Sequence, residues 1–227
     1  MPDAIERALQ SALASGTCQI GEIAIHSVNG RYRLMHREDV GRTDLPSFGL
    51  AEDAIAIARL DDAGKYRPLK TAPNLRRGWH LEITTLAELR RALDYLYPGR
   101  LAVLAAWKDQ RLTTIPLRET LDRQSGMYRV ASRISDQQID EVVGDFCRSN
   151  GGCLRTILWR RDKAGAVPST KLPAQKFDPD CDQARRPGSA TPATERVIPL
   201  LCQEGCTLLV SECRAVVQGR DVAPKRP

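Results

Sequence analysis

Apolar residues near the N-terminus recur with a helical period. Ile5, Leu9 and Leu13 are spaced four residues apart, and Asp3 stands three residues before Glu6 in a capping-box arrangement. This pattern predicts a short amphipathic helix at the start of the chain.

The pattern then changes to a strand period of two. Residues 22–28 and 31–37 flank Asn29-Gly30, the pair that favours a type I′ hairpin turn. Alternation across this turn places one set of side chains on each face. The mainly apolar face has Ile23, Ile25, Ser27, Tyr32, Leu34 and His36, and the polar face has Glu22, His26, Arg31, Arg33 and Arg37. We expect a hairpin with one buried face and one solvated face.

Helices and strands continue to alternate up to residue 126. We predict helices over 50–60 and from Thr85, where leucines recur at helical spacing, and strands over 81–83, 101–108 and 112–117. The Pro- and Arg-rich run 66–79 is expected to be irregular. Residues 1–126 are therefore interpreted as one α+β domain of mixed helices and antiparallel strands.

A second, smaller α+β domain is predicted over residues 127–218. It contains a strand over 128–134, a helix that begins at the Ser135–Gln138 capping box, a strand over 154–159 and a final helix over 206–217. Residues 162–196 are rich in Pro, Ser, Thr, Ala and charge, and we interpret them as a long polar insertion. Residues 219–227 are expected to be a mobile tail.

Composition bears on the compartment and on the kind of partner expected for this protein. No run approaches the roughly 20 apolar residues of a membrane span, and the N-terminus lacks the basic start and apolar core of a secretory signal. We therefore expect a cytoplasmic protein. The net charge of +6 favours an anionic partner, while an aromatic share of only 5% argues against nucleic-acid binding.

The seven cysteines are the strongest chemical signal in the sequence. An odd number in a reducing compartment argues against a disulfide framework and for metal binding or buried thiols. Two close pairs stand out: Cys147 and Cys153 with five residues between them, and Cys202 and Cys206 with three. Each pair lies where a predicted helix or strand meets a turn, so that four thiols could converge.

Three interpretations of these four cysteines remain open on spacing alone. They could hold a [4Fe–4S] cluster, whose ligand spacings vary between families, or a structural zinc ion. They could also be unrelated core thiols. The five-residue gap exceeds the usual spacing of zinc ligands, which favours iron without deciding the question.

The other three cysteines are weaker candidates. Cys213 shares an apolar helical stripe with Leu209 and Val210 and is expected in the core, as is Cys18. Cys181, in the polar insertion, is the one credible replacement ligand.

Several segments resemble a known family, the short-type sirohydrochlorin cobaltochelatases. The similarity is to their C-terminal extension, in which a stabilising domain precedes a four-cysteine [4Fe–4S] domain. The segments that carry it are YRPLKTAPNLRRGW (66–79), RET (118–120), RQSGMYRV (123–130), GCLR (152–155) and CQEGC (202–206). The resemblance implies that Cys147, Cys153, Cys202 and Cys206 ligate a [4Fe–4S] cluster.

The resemblance also bears on activity. In the family these domains often follow a chelatase domain, which is missing here, and such chelatases present the metal with histidines. His26, His36 and His80 have no partners at ligand spacing. We therefore expect that this chain alone does not insert cobalt.

Six basic residues crowd the family-like segments and form a candidate anion-binding set: Lys70, Arg76, Arg77, Arg118, Arg123 and Arg129. Arginine binds carboxylates in a bidentate manner, so this set could contact a carboxylate-rich tetrapyrrole or a separate chelatase. Alternatively, the six residues form ion pairs with Asp61, Glu82, Glu119 and Asp122.

The sequence thus leaves two main functional hypotheses. The first is a non-catalytic iron–sulfur accessory protein of a tetrapyrrole chelatase, in a redox or structural role. The second is a redox enzyme whose cluster serves a bound anionic substrate. A structural zinc protein is the remaining alternative.

Overall fold

The computed structural model describes residues 3–68, 70, 74–113, 115–148, 153–154, 156–157 and 196–219. Most of the predicted insertion, Cys181 within it, and the tail after Gly219 lie outside these ranges. The chain divides into two units, the first formed by residues 1–109 and 190–200 and the second by residues 110–189 and 201–227. In the described ranges no helix is long and apolar enough to cross a membrane.

The first unit combines four helices with a six-stranded sheet. Its helices are α1 (Ala4–Ala12), α2 (Asp53–Arg59), α3 (Leu86–Leu96) and α4 (Arg100–Lys108). Its strands are β1 (Thr17–Ile20), β2 (Ile23–Val28), β3 (Arg31–His36), β4 (Ser47–Phe48), β5 (His80–Ile83) and β7 (Arg196–Ile198). Short 3₁₀ turns lie at Leu13–Ser15 and Arg37–Asp39.

The sheet is antiparallel at its centre and parallel at both edges. The strand order is β4-β5-β3-β2-β1-β7, and the pairs β1–β2, β2–β3 and β3–β5 are antiparallel. β4 and β7 pair in parallel with β5 and β1, so that the chain returns after the insertion to complete this sheet.

The structure confirms the predicted hairpin, the predicted Asp3 cap and the predicted helix start at Thr85. Val28 pairs with Arg31 across the turn, and Asn29 and Gly30 have the positive φ angles, 51° and 75°, that a type I′ turn requires. Asp3 and Thr85 each accept the third backbone N–H of their helix, in complete capping boxes.

The expectation of one solvated hairpin face is wrong at the end away from the turn. Glu22 is only 4% exposed, and its carboxylate accepts the backbone N–H of Leu75 at 2.8 Å. It also lies 3.6 Å from His36 Nε2 and 3.7 Å from the buried Arg67 guanidinium. Because these groups supply partners for the carboxylate, a charged residue can lie inside the domain.

The prediction of a strand over 101–108 is also wrong, since these residues form α4. Gly99 precedes the helix in a left-handed conformation, and Leu101, Leu104 and Ala105 are buried at helical spacing. A short apolar run rich in Leu and Ala fits a buried helix as well as a strand, and here its helix propensity agrees with its packing.

The second unit is mainly helical. It contains α5 (Leu117–Asp122), a 3₁₀ segment (Gly126–Arg133), α6 (Asp136–Val143), a π turn (Gly144–Arg148) and α7 (Thr207–Val217). A two-stranded parallel ladder joins β6 (Thr156–Ile157) to β8 (Leu201–Cys202).

Two strand predictions fail in this unit. No strand is found among the described residues of 112–117, and Leu117 instead begins α5. Residues 128–134 lie mostly in the 3₁₀ segment, where Ala131 is buried while Met127 and Tyr128 are exposed. Ala131 and Ile134, three residues apart, are both buried, a spacing that the strand interpretation missed.

The two units meet in sequence at 109/110, whereas the predicted boundary was 126/127. The intervening segment belongs to the second core, because Leu117 and Leu121 are fully buried in one cluster with Ile139, Val142 and Leu209.

Candidate metal centre

Helix α6 and the π turn after it carry Cys147. The helix begins at Ser135, whose hydroxyl accepts the N–H of Gln138 in the predicted capping box. Ile139, Val142 and Val143 then fix the helix to the core, and the wider π turn places Cys147 in the same core, 7% exposed. π turns of this kind occur often at functional sites.

Arg118 anchors the start of this helix. Its guanidinium donates to the carbonyl oxygens of Ser132 and Ile134 and to the Asp136 carboxylate, the last at 2.6 Å. These contacts join α5 to the residues that begin α6, so Arg118 helps to determine where Cys147 lies.

The parallel ladder links the segments of Cys153 and Cys202. Thr156, three residues after Cys153, pairs with Leu201, and Ile157 pairs with Cys202. Cys202 is buried, and its thiol donates to the carbonyl oxygen of Glu204 at 2.9 Å.

Cys206 caps the final helix. Its sulfur accepts the N–H of Leu209 at 3.4 Å, as the N-cap of α7. Unpaired N–H groups and the positive end of the helix dipole favour a thiolate at such a position. The predicted start of this helix is confirmed.

One face of α5 holds the loop between Cys202 and Cys206. Just before the helix, Ile115 donates its N–H to Gln203 O at 2.7 Å, and at its end Arg123 pairs with Glu204 at 2.8 Å. Between them, Leu117 Cδ1 lies only 2.6 Å from the point where a Cβ on Gly205 would stand. The backbone of this ligand-bearing loop thus lies directly on the helix.

Other thiols of this unit act on Cys147 electrostatically. Burial raises the pKa of the Cys147 thiol far above its usual value, and the thiols of Cys153, Cys202, Cys206 and Cys213 raise it further. Cys147, Cys202 and the partly buried Cys206 also belong to one packed core. An all-sulfur donor set of this kind, in a largely apolar surrounding, fits an iron–sulfur cluster.

No three His, Cys, Asp or Glu side chains of the described residues meet closely enough to hold a single metal ion.

The two remaining described cysteines are buried elsewhere, as expected. Cys213 is fully buried on α7, and burial raises the pKa of its thiol to about 12. Cys18 lies on β1 in the first unit, 2% exposed.

The structure divides the candidate anion-binding residues between the units and gives most of them structural contacts. Arg77 pairs with Glu38 at 2.8 Å, and Lys70 donates to Ala58 O at 2.6 Å. Arg118 and Arg123 pair with Asp136 and Glu204, as described above, and Arg76 and Arg129 are exposed. The acidic partners are therefore not those expected from the sequence; Glu82, for example, pairs with Arg33.

Sequence reasoning missed the residues at and just before α5 that contact the loop between Cys202 and Cys206: Ile115, Leu117 and Thr120. The strand interpretation of 112–117 hid the shared helical face of Leu117 and Thr120. The three-residue spacing of Leu117, Thr120 and Arg123 was the available signal.

Two models of known protein families match successive parts of the chain. Residues 5–111 match the model of the DR2241 stabilising domain, and residues 109–215 match that of a 4Fe-4S iron-sulfur cluster binding domain. Among proteins of curated function, none matches the chain.

A solved structure matches almost the whole chain. It is the crystal structure of DR2241 from Deinococcus radiodurans, described as a multi-domain protein with structural similarity to chelatases and two additional novel domains. The sequence identity is 27% and the TM-score 0.71, over 96% of this chain and 42% of DR2241. The present chain thus spans less than half the length of that protein. Together the two models match residues 5–215, in the order DR2241 stabilising domain and then 4Fe-4S iron-sulfur cluster binding domain.

Proposed function

We propose that this chain is a non-catalytic iron–sulfur accessory protein of a tetrapyrrole metal chelatase, with Cys147, Cys153, Cys202 and Cys206 as the cluster ligands. The observation that carries the proposal is the packing of Cys147, Cys202 and Cys206 in one core, within residues that match a cluster-binding domain. The four cysteines come from separate segments, so ligation of one cluster requires the fold to bring them together.

The surroundings of the thiols suit a bound cluster. A [4Fe–4S] cluster on four thiolates is anionic, and the N-terminal end of α7 offers N–H groups to Cys206. The contacts of α5 and its flanking residues with the loop 203–205 fix the separation of Cys202 and Cys206 before the cluster binds. When bound, the cluster supplies one-electron transfer.

Full ligation by cysteine favours an accessory role. Four thiolates occupy one position on each iron, which leaves no open iron site for a substrate. The second hypothesis, a redox enzyme, also required the arginines to bind the substrate, but Arg118 and Arg123 are engaged in holding α6 and the ligand loop.

The link to chelatases rests on DR2241, which is similar to this chain and has structural similarity to chelatases. Sirohydrochlorin and cobalt come from the family resemblance in the sequence. His36 is not placed to present a metal, since it is buried beside Glu22 and its Nδ1 accepts the N–H of Glu38.

An acidic partner or substrate would meet the exposed arginines. Arg76 and Arg129 have exposed side chains, and the Arg77–Glu38 pair is exposed enough to contribute little stability. We propose Arg76 and Arg77 in the first unit, and separately Arg129 in the second, as groups that contact a separate chelatase or a carboxylate-rich tetrapyrrole.

Cobalt insertion into sirohydrochlorin tests this role. A sirohydrochlorin chelatase is assayed alone, with the cluster-loaded chain, and with the Cys202→Ala variant; Cys18→Ala, altered in the other unit, serves as the matched control. We expect the loaded chain and the control to change the insertion rate or its redox dependence, and Cys202→Ala to lose this effect. Insertion by the present chain without a chelatase, or equal rates in all mixtures, would refute the accessory role.

A further inference from the structure

Thr120 has a buried hydroxyl that the fold leaves without a partner. The residue lies in α5, 3% exposed, and its Oγ1 makes no hydrogen bond to any part of the chain that the structure describes. Its main-chain groups are satisfied, because the N–H donates to Pro116 O at 3.0 Å and the carbonyl oxygen accepts from Gln124 Nε2 at 2.6 Å.

An unsatisfied hydroxyl at this depth is unusual. The great majority of buried side-chain polar atoms have at least one hydrogen-bond partner, and threonine in a helix commonly donates to the carbonyl four residues before it. Here that carbonyl, Pro116 O, does not take the hydroxyl. Such an exception calls for an explanation, and a group bound beside the residue would supply one.

The position of Thr120 shows which group this is. Its Cγ2 lies 3.6 Å from the point where a Cβ on Gly205 would stand, next to the loop that carries Cys202 and Cys206. Leu117 and Leu121, its neighbours on α5, belong to the same core as Cys147 and Cys202. Thr120 therefore lies beside the loop that carries two of the four cysteines.

We propose that the Thr120 hydroxyl donates a hydrogen bond to a sulfur of the bound cluster or of its cysteine ligands, and so raises the cluster's reduction potential. The inference rests on the proposed function, since it requires the cluster. A cluster sulfur carries negative charge that increases when the cluster gains an electron, so a donor stabilises the reduced state more than the oxidised state. Thr120 is thus a positioning and tuning residue, not a ligand.

The test compares midpoint potentials, measured by anaerobic redox titration followed by electron paramagnetic resonance. Thr120→Val keeps the shape of the side chain and removes the hydroxyl, whereas Thr120→Ser keeps the hydroxyl. We expect a more negative potential in Thr120→Val and a potential close to that of the wild type in Thr120→Ser. Thr113→Val, an exposed threonine in the same unit, is the control and should leave the potential unchanged.

An equal potential in the wild type and Thr120→Val would overturn the inference, as would an equal shift in Thr120→Val and Thr120→Ser. If Thr120→Val does not fold, Thr120→Ala against Thr120→Ser provides the same comparison. The unfolding stability of the apoprotein distinguishes the tuning role from a purely structural one. Without the cluster, we expect Thr120→Val to be at least as stable as the wild type.

Failure of this inference is distinct from failure of the proposed function. If the wild type binds a cluster whose potential ignores Thr120, only the tuning role is refuted. If the wild type binds no cluster, the proposed function and this inference both fail.

Discussion

A buried thiol surrounded by other thiols is stabilised either by keeping its proton or by giving it up to a metal. Cys147 is in this position, since burial and the thiols of Cys153, Cys202, Cys206 and Cys213 all oppose its ionisation. Iron would supply the positive charge that makes the thiolate favourable, so proton release and cluster binding would be coupled. On the proposed assignment, four cysteines far apart in sequence then act as one chemical unit.

Cys147 and Cys213 form a matched pair for testing this unit, since both are buried in the same core. We expect Cys147→Ala to lose most of its bound iron, because one iron loses its only protein ligand. Cys213→Ala should keep the iron, with a stability loss of about 1 kcal/mol from the lost contacts. Iron content and visible absorbance measure both; iron loss from Cys213→Ala with full binding by Cys147→Ala would contradict the ligand assignment.

Cys213 also predicts a pH dependence of the apoprotein. Burial raises the pKa of its thiol from the ordinary 9.0 to about 12, so the folded state holds this proton more tightly than the unfolded state does. Its contribution is fully present below pH 9 and is lost as the pH rises towards 12. Urea unfolding between pH 7.5 and about 10.5 should show stability falling less steeply in Cys213→Ala than in the wild type; parallel curves would contradict this assignment.

At the scale of elements, α5 is the support of the ligand loop. Leu117 and Thr120 contact the backbone at Gly205, while Ile115 and Arg123 bind the loop on either side. Such contacts fix the positions of Cys202 and Cys206 without any bond to the metal, in the way that outer residues orient ligands in other metal sites.

Gly205 tests this support. A Cβ there would meet the fully buried Leu117, so we expect Gly205→Ala to cost about 1–3 kcal/mol and to weaken iron retention. Gly49→Ala, in the first unit, is the control, because nothing lies within 4 Å of its Cβ position. Urea unfolding and iron content measure the effect of both substitutions. Equal effects would contradict the explanation that a Cβ on Gly205 collides with Leu117.

The elements show which parts of the fold are readable from sequence. Asn29-Gly30, the Asp3 and Ser135 capping boxes and the start of α7 were predicted correctly, because each depends on local backbone chemistry. The runs 101–108 and 128–134 were assigned the wrong element, since short apolar segments take the conformation that their packing partners allow. The packing of α5 against Gly205 joins segments that are distant in the chain, and the spacing of residues along the sequence does not reveal such contacts.

At the scale of the whole molecule, the chain contains two units with separate cores. The first is stabilised by its sheet and by the buried carboxylate of Glu22 with Arg67 and His36. The second has its thiols within its apolar core, so its packing includes the metal site. Cluster binding should therefore contribute folding free energy mainly to the second unit.

Hydrogen exchange measures this difference. On removal of the cluster by a chelator under anaerobic conditions, we expect faster amide exchange in α6, in β8 and at the start of α7. The strands β2 and β3 of the first unit should exchange at unchanged rates, and they serve as the internal reference. Equal acceleration in both units would contradict the assignment of the cluster to the second core alone.

The metal and acid-labile sulfide content of the wild-type chain, purified without exposure to oxygen, tests the central claim most directly. We expect about four irons and four sulfides per chain, with visible absorbance that is lost on reduction, as a [4Fe–4S] cluster requires. A colourless protein with one zinc ion and no sulfide would contradict the claim.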